Sequence, residues 1–255
     1  MSSIEHLYRY PVKGFSAEPL DSVALSAGQG MPLDRKFAIT NGRWAFEAQG
    51  YAPRPKTDFL VLVKFEQLAE YRTRYDESTH VFSVTGKDGV THPFSFASQP
   101  DREALARLFA ERLALTETPQ LVEVEGIRFT DVSVMSTPMM NSISLINLTS
   151  VEALQADMGV PVDPLRFRAN VYFRTGTPWE ELEWVGREVS VGTARGKIVL
   201  RTRRCVATNV DPVTAQRDLS IPQTLVKKYG HPDMGVYVEI TDGGQVAVGD
   251  AVTLL

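Results

Sequence analysis

Cys205 is the only cysteine in the sequence, and it follows the basic run Arg201-Thr202-Arg203-Arg204. A thiolate, not a thiol, attacks electrophiles and ligates soft metals, and neighbouring cations favour that form. The competing reading is a small buried core residue beside solvated arginines, because free cysteine is among the most buried residue types. The turn chemistry of Asn209-Val210-Asp211-Pro212 places Cys205 near a strand-to-loop transition, where functional groups gather. Basic side chains recur at Lys13-Gly14, at Asp34-Arg35-Lys36 and in Arg166-Phe167-Arg168-Ala169-Asn170. Arginine grips phosphate through paired hydrogen bonds and lysine acts as a point charge. Each run is therefore an anion cradle or a solvated surface patch, and spacing alone does not bring them together.

Several chemistries are excluded. One thiol forms no internal disulfide, no cysteine-rich zinc site and no iron–sulfur cluster. His6, His80, His92 and His231 are scattered, with no pair at metal-ligand spacing on a helical face. Gly28-Gln29-Gly30 opens like a dinucleotide fingerprint but has Leu33 where the third glycine belongs. Gly86-Lys87 and Gly196-Lys197 lack the serine or threonine of a phosphate loop, and no Gly-x-Ser-x-Gly elbow occurs. A formal charge of -4 argues against a nucleic-acid or anionic-membrane partner, either of which needs a basic footprint. The N-terminus has no basic stretch followed by an apolar one, and the aliphatic run Phe59 to Val63 is far short of the ~18 residues of a membrane helix. These features predict a cytoplasmic protein with a small-molecule substrate.

The elements that must hold these residues are mostly short strands. Ser22–Leu25, Lys36–Thr40, Phe59–Val63, Lys197–Arg201 and Val236–Ile240 read as strands, and Val81–Val84 with the Gly86–Gly89 turn reads as a hairpin. Asp242-Gly243-Gly244 and Gly249-Asp250 set off two more strands near the C-terminus. Three helices are predicted: one N-capped by Asp101 after Pro100, one opening at the capping pattern Thr149-Ser150-Val151-Glu152, and one from Ile221 to Tyr229 ended by Gly230. The class is α+β, mostly β, with barrel-like units and few helices. At roughly 100–200 residues per domain, 255 residues fit two small domains, and the Thr116, Thr118, Pro119 cluster divides them into 1–115 and 116–255.

Taken together, the motifs resemble the molybdenum-cofactor sulfurase C-terminal (MOSC) proteins with an N-terminal β-barrel domain, including the YcbX-like and amidoxime-reducing-component families. Tyr8-Arg9-Tyr10-Pro11-Val12-Lys13-Gly14 and Gly30-Met31-Pro32-Leu33-Asp34-Arg35 look like the N-terminal signature. Ser144–Ser150, Arg166–Asn170, Arg204-Cys205, Asn209–Pro212 and Gly249-Asp250 look like the MOSC signature. The resemblance implies a molybdenum-molybdopterin cofactor with Cys205 as the metal's thiolate ligand. It implies that Lys13, Gly14, Arg35 and Arg168 hold the pterin phosphate and ring edge, with Asn141, Ser142, Arg203 and Arg204 as further candidates. Gly14 stands where the eukaryotic relatives carry serine. Phe46 to Pro55, the region that faces substrate in relatives, departs from the family pattern.

The implied reaction is reduction of hydroxylamines, amidoximes and N-hydroxylated bases. One cysteine leaves no iron–sulfur relay in these 255 residues, so a flavin reductase or ferredoxin-type protein is expected as external electron donor. The alternative is a sulfur-carrier or cofactor-handling role through a Cys205 persulfide.

Overall fold

The structure, a computed structural model, describes residues 2–255. Its largest element is an eight-stranded sheet curled into a half-barrel, so the class is α+β and mostly β. From edge to edge the strands are Val252–Leu254, Glu188–Val191, Ala194–Arg203, Asp233–Asp242, Ile143–Asn147, Val171–Arg174, Ser3–Arg9 and Glu18–Leu20. Ile143–Asn147 lies inside the sheet and is buried along its whole length, its polar Ser144 and Asn147 included. It pairs parallel to Val171–Arg174 and antiparallel to Asp233–Asp242. The concave core packs Ile4, Leu7, Leu145, Phe173, Val189, Ile198 and Val238.

A second core holds Val12, Phe15, Phe37, Leu60, Phe82, Leu105 and Phe109. It lies between the three-stranded ribbon Arg72–Asp76, Val81–Thr85, Thr91–Ser95 and the helix Gln99–Arg112. Strand pairing crosses residue 115 in both directions. Ser3–Arg9 and Ser22–Leu25 pair with Val171–Arg174 and Gly244–Ala247, and Leu121–Glu123 pairs with Phe37–Ile39. No helix among the described residues is long and apolar enough to cross a membrane.

Local departures from the sequence reading have plain causes. The helix Gln99–Arg112 is capped by Ser98, whose side chain accepts from the Asp101 N–H, while Asp101 itself accepts from the Ser95 N–H. The helix Leu148–Met158 starts one residue ahead of the predicted capping pattern. Asn147 caps it by accepting from the Thr149 N–H at 3.1 Å. Ile221–Tyr229 ends as expected at Gly230, where φ is +79°. Phe59–Val63 is not a strand. Phe59 bridges Thr40, but the Val61 carbonyl then accepts from both Lys64 and Phe65 N–H groups, which turns the chain and ends the ladder. That turn sets Val61, Leu62 and Val63 along the cleft described next.

Candidate functional site

The strand Ala194–Arg203 delivers Cys205 to the mouth of a short 3-10 turn, Val206–Asn209. The Cys205 carbonyl accepts from both the N–H and the hydroxyl of Thr208, at 3.0 and 2.9 Å, which fixes the backbone that carries the thiol. Arg166 fastens the following loop. Its Nη1 donates to the Asn209 carbonyl and Asp218, and its Nη2 to Asp211 and Asp218, at 2.7–3.1 Å. Asp211 caps its own turn by accepting from the Val213 and Thr214 N–H groups. The arginine of the Arg166-Phe167-Arg168 run nearest the loop thus binds carboxylates and holds the Cys205 segment in place.

Cys205 opens into a cleft of about 920 Å³, within the range typical of small-molecule and cofactor sites. Eight basic side chains line it against four acidic ones, in a chain whose net charge is -4. Lys13, Gly14, Arg35, Ser142, Arg168, Arg203, Arg204 and Cys205, all expected from sequence, share this lining. Asn141 does not. It caps the helix Thr137–Met140, and its Nδ2 donates to the Gly28 carbonyl at 2.9 Å, away from the cleft.

Next to the thiol lies an ion network that sequence reasoning missed. Lys56 Nζ sits 3.3 Å from Cys205 Sγ and 2.9 Å from Asp131. The other Asp131 oxygen is 2.6 Å from Lys13 Nζ, which also donates to the Phe129 carbonyl. Lys13 is only 4% exposed, and burial depresses its ammonium despite Asp131. Burial also acts to depress Lys56, but Asp131 and Cys205 outweigh it and lift that ammonium above the usual lysine range. The Asp131 side chain remains 47% exposed, and the two ammonium groups hold its carboxylate far below the ordinary range against the cost of desolvation. Lys56 directly follows the divergent Phe46–Pro55 segment, but nothing in its own local sequence singles it out.

The arginines differ in how much of their hydrogen-bonding capacity is used. Arg35 Nη1 lies 2.6–2.7 Å from both Asp34 oxygens, and Nη2 donates to the Arg168 carbonyl. Arg204 is 9% exposed; its Nε and Nη1 donate to the Met234 and Phe167 carbonyls, but its buried Nη2 has no partner. The buried Thr202 hydroxyl is likewise unpartnered. Among the described residues, Arg168 and Arg203 make no hydrogen bond or ion pair through their guanidinium groups. Orphaned buried donors are costly unless a ligand satisfies them, so Arg204 Nη2 and the Thr202 hydroxyl mark where an anion or polar group belongs, while the half-buried Arg168 and the exposed Arg203 add free cationic donors to the same lining. Val61, Leu62, Val63, Val132, Leu182 and Val185 give the same lining an apolar part.

Gly14 has a local reason to be glycine. Its φ is +87°, and a Cβ there would run into the Leu60 carbonyl oxygen. No side chain fits on this backbone, so the contribution available here is the Gly14 N–H. Among the described residues, no three His, Cys, Asp or Glu side chains gather into a metal-ion site.

Residues 132–253 match the MOSC domain. The mitochondrial amidoxime-reducing component 1 of Xenopus laevis is 30% identical over 136 residues, covering 49% of this chain and 39% of that protein. The molybdenum cofactor sulfurase of Drosophila erecta is 23% identical over 248 residues, covering 90% of this chain and 30% of that protein. This chain thus spans about a third of the length of these curated relatives. The solved structure of the YUAD protein from Bacillus subtilis aligns over 99% of this chain and 94% of that one, at 14% identity and a TM-score of 0.43.

Proposed function

With a MOSC domain over residues 132–253 as the premise, we propose that the cleft binds molybdenum-molybdopterin and that the protein reduces N-hydroxylated compounds with electrons from an external donor. One observation carries the reading: the chain's single thiol and its unpartnered cations converge on one cleft. The donor set suits the cofactor. A thiolate is a soft ligand for molybdenum, and bidentate guanidinium groups suit a phosphate. Cys205 would ligate the metal; Lys13, Arg35, Arg168 and Arg204 would meet the phosphate and ring edge, with Arg203 at the rim and the Gly14 N–H and Ser142 hydroxyl as neutral contacts. When bound, such a cofactor supplies two-electron chemistry that removes oxygen from nitrogen.

The chain's own residues do the rest. Lys56 sets a fixed positive charge beside the Cys205 sulfur, in a partly desolvated position where a charge acts more strongly than in water. The apolar part of the lining, from Val61 to Val63 and at Val132 and Val185, would hold the carbon skeleton of a substrate and exclude water from it. Tyr237 lines the cleft without a hydrogen-bond partner, and burial keeps its hydroxyl protonated above the ordinary tyrosine range. Its Oη is thus available as a hydrogen-bond donor within the cleft.

The test is anaerobic consumption of a hydroxylamine or amidoxime by cofactor-loaded protein. Turnover is expected with reduced viologen, or with a flavin reductase or ferredoxin-type partner. NADH alone is expected to give none, because Gly28-Gln29-Gly30 lacks the third glycine of a nicotinamide loop. Sustained turnover with NADH alone would contradict the external-donor assignment. The similarity to a molybdenum cofactor sulfurase over 90% of this chain favours a second reading, in which Cys205 carries a persulfide. A persulfide mass shift on metal-free protein, with no turnover from reduced viologen, would select it.

A further inference from the structure

We infer that Tyr10 is the positioning residue of the anion cradle: its buried ring carries the guanidinium groups of both Arg35 and Arg168, and the cleft's grip on phosphate depends on that ring face. The inference rests on the cofactor-binding reading above and names the residue that organises its anion subsite.

Tyr10 is 1% exposed and follows the strand Ser3–Arg9, next to Pro11. Its backbone works on the first arginine. The Tyr10 N–H donates to Asp34 Oδ1 at 2.8 Å, the Tyr10 carbonyl accepts from the Arg35 N–H at 2.7 Å, and Asp34 in turn binds the Arg35 guanidinium. Its hydroxyl works on the second. Tyr10 Oη donates to the Ala169 carbonyl at 3.2 Å and lies 3.4 Å from Tyr172 Oη, which accepts from the Ala169 N–H. The residue after Arg168 is thereby clamped on both its backbone groups.

Between these anchors lies the ring. The guanidinium carbons of Arg35 and Arg168 stand 4.1 and 4.4 Å from its centroid, within the range of a cation over an aromatic face. Arg35 has other polar partners, whereas among the described residues the Arg168 guanidinium makes no hydrogen bond or ion pair and stands over the ring alone. Both arginines also adopt left-handed backbone conformations, with φ of 49° and 52°, which side-chain-bearing residues avoid. Two like charges and two unfavourable backbones thus meet at one aromatic residue. A buried tyrosine hydroxyl needs a hydrogen-bond partner in any core, but ordinary packing does not call for two guanidinium groups over one ring. The ring's negative π-system offsets the repulsion of the two cations and leaves them oriented before an anion arrives.

The test uses metal-free full-length protein and inorganic phosphate as the probe, titrated at low ionic strength by calorimetry. Tyr10→Phe keeps the ring and is expected to bind within about threefold of the unmodified protein. Tyr10→Leu keeps apolar volume without the ring and is expected to bind about tenfold more weakly, as is Arg168→Met. A folded Tyr10→Leu variant that binds phosphate as tightly as the unmodified protein would overturn the inference. If the unmodified protein itself binds no phosphate, the anion-cradle reading fails instead. A second measurement holds should Tyr10→Leu fail to fold. In the unmodified protein the Arg168 side-chain proton resonances, assigned by their loss in Arg168→Met, should lie upfield from the ring current, and unshifted resonances would overturn the stacking.

Discussion

At the scale of single residues, Gly14 shows how one atom constrains the site. Its φ of +87° and the neighbouring Leu60 carbonyl leave no space for a Cβ. Gly14→Ser should therefore cost roughly 1–3 kcal/mol from the backbone conformation alone, with the clash adding to it. Urea unfolding measures this, and a Gly14→Ser protein of unchanged stability would show that the turn can rearrange. The residues legible in the sequence were those whose chemistry is distinctive by type: a lone thiol after three arginines, and basic residues beside glycine or an aromatic. Lys56, Asp131 and Tyr237 carried no such mark. Lys56 acquires its role by meeting Asp131 and Cys205, 75 and 149 positions away, and no local pattern encodes that meeting. Asn141 lies outside the cleft lining, and an asparagine at a helix end serves as readily to cap and to bind a neighbouring carbonyl as to touch a ligand.

At the scale of elements, the 3-10 segment Glu180–Trp184 supplies Leu182 and Glu183 to the cleft, and Val185 follows it. Its anchor is Glu181, fully buried, with one carboxyl oxygen accepting from Ser150 and Asn147 and the other without a partner. Burial lifts this carboxyl from 4.5 to about 7, against the pull of those two donors. A raised acid is protonated in the folded state over a range where the unfolded chain has released its proton, so stability falls as pH rises from 4.5 to about 7. The loss is on the order of 3 kcal/mol at most. Glu181→Gln should flatten this dependence between pH 5 and pH 8, measured by urea midpoints at the two values. An identical slope in both proteins would contradict the assignment. Element types followed from pattern here, since the alternating strands and the Gly230 stop are local features. The apolar run Phe59–Val63 misled because burial on both sides of a turn leaves the same apolar signature as a buried strand.

At the scale of the whole molecule, the chain separates its charge, gathering cations around one cleft while the total remains at -4. Contacts from distant segments hold that cleft in shape. Lys56 and Lys13 share Asp131, and Arg217 donates to the Leu62 and Val63 carbonyls at 2.7 and 3.0 Å and to Glu66. Pairings such as Ser22–Leu25 with Gly244–Ala247 join the two ends of the chain, and their distance in sequence is why a boundary marker near residue 115 could not reveal them. The gathered cations and the single thiol would have a common explanation in the one cofactor proposed above. Its most direct test is the molybdenum and pterin content of protein loaded with cofactor, desalted and analysed by metal mass spectrometry and pterin fluorescence, for the unmodified chain and for Cys205→Ser. The account predicts near-equal molar molybdenum and pterin in the unmodified protein, and a folded Cys205→Ser variant that loses the metal because an alcohol is a harder and far less acidic ligand. Molybdenum retained in full by Cys205→Ser, or an unmodified protein that holds neither metal nor pterin, would contradict it.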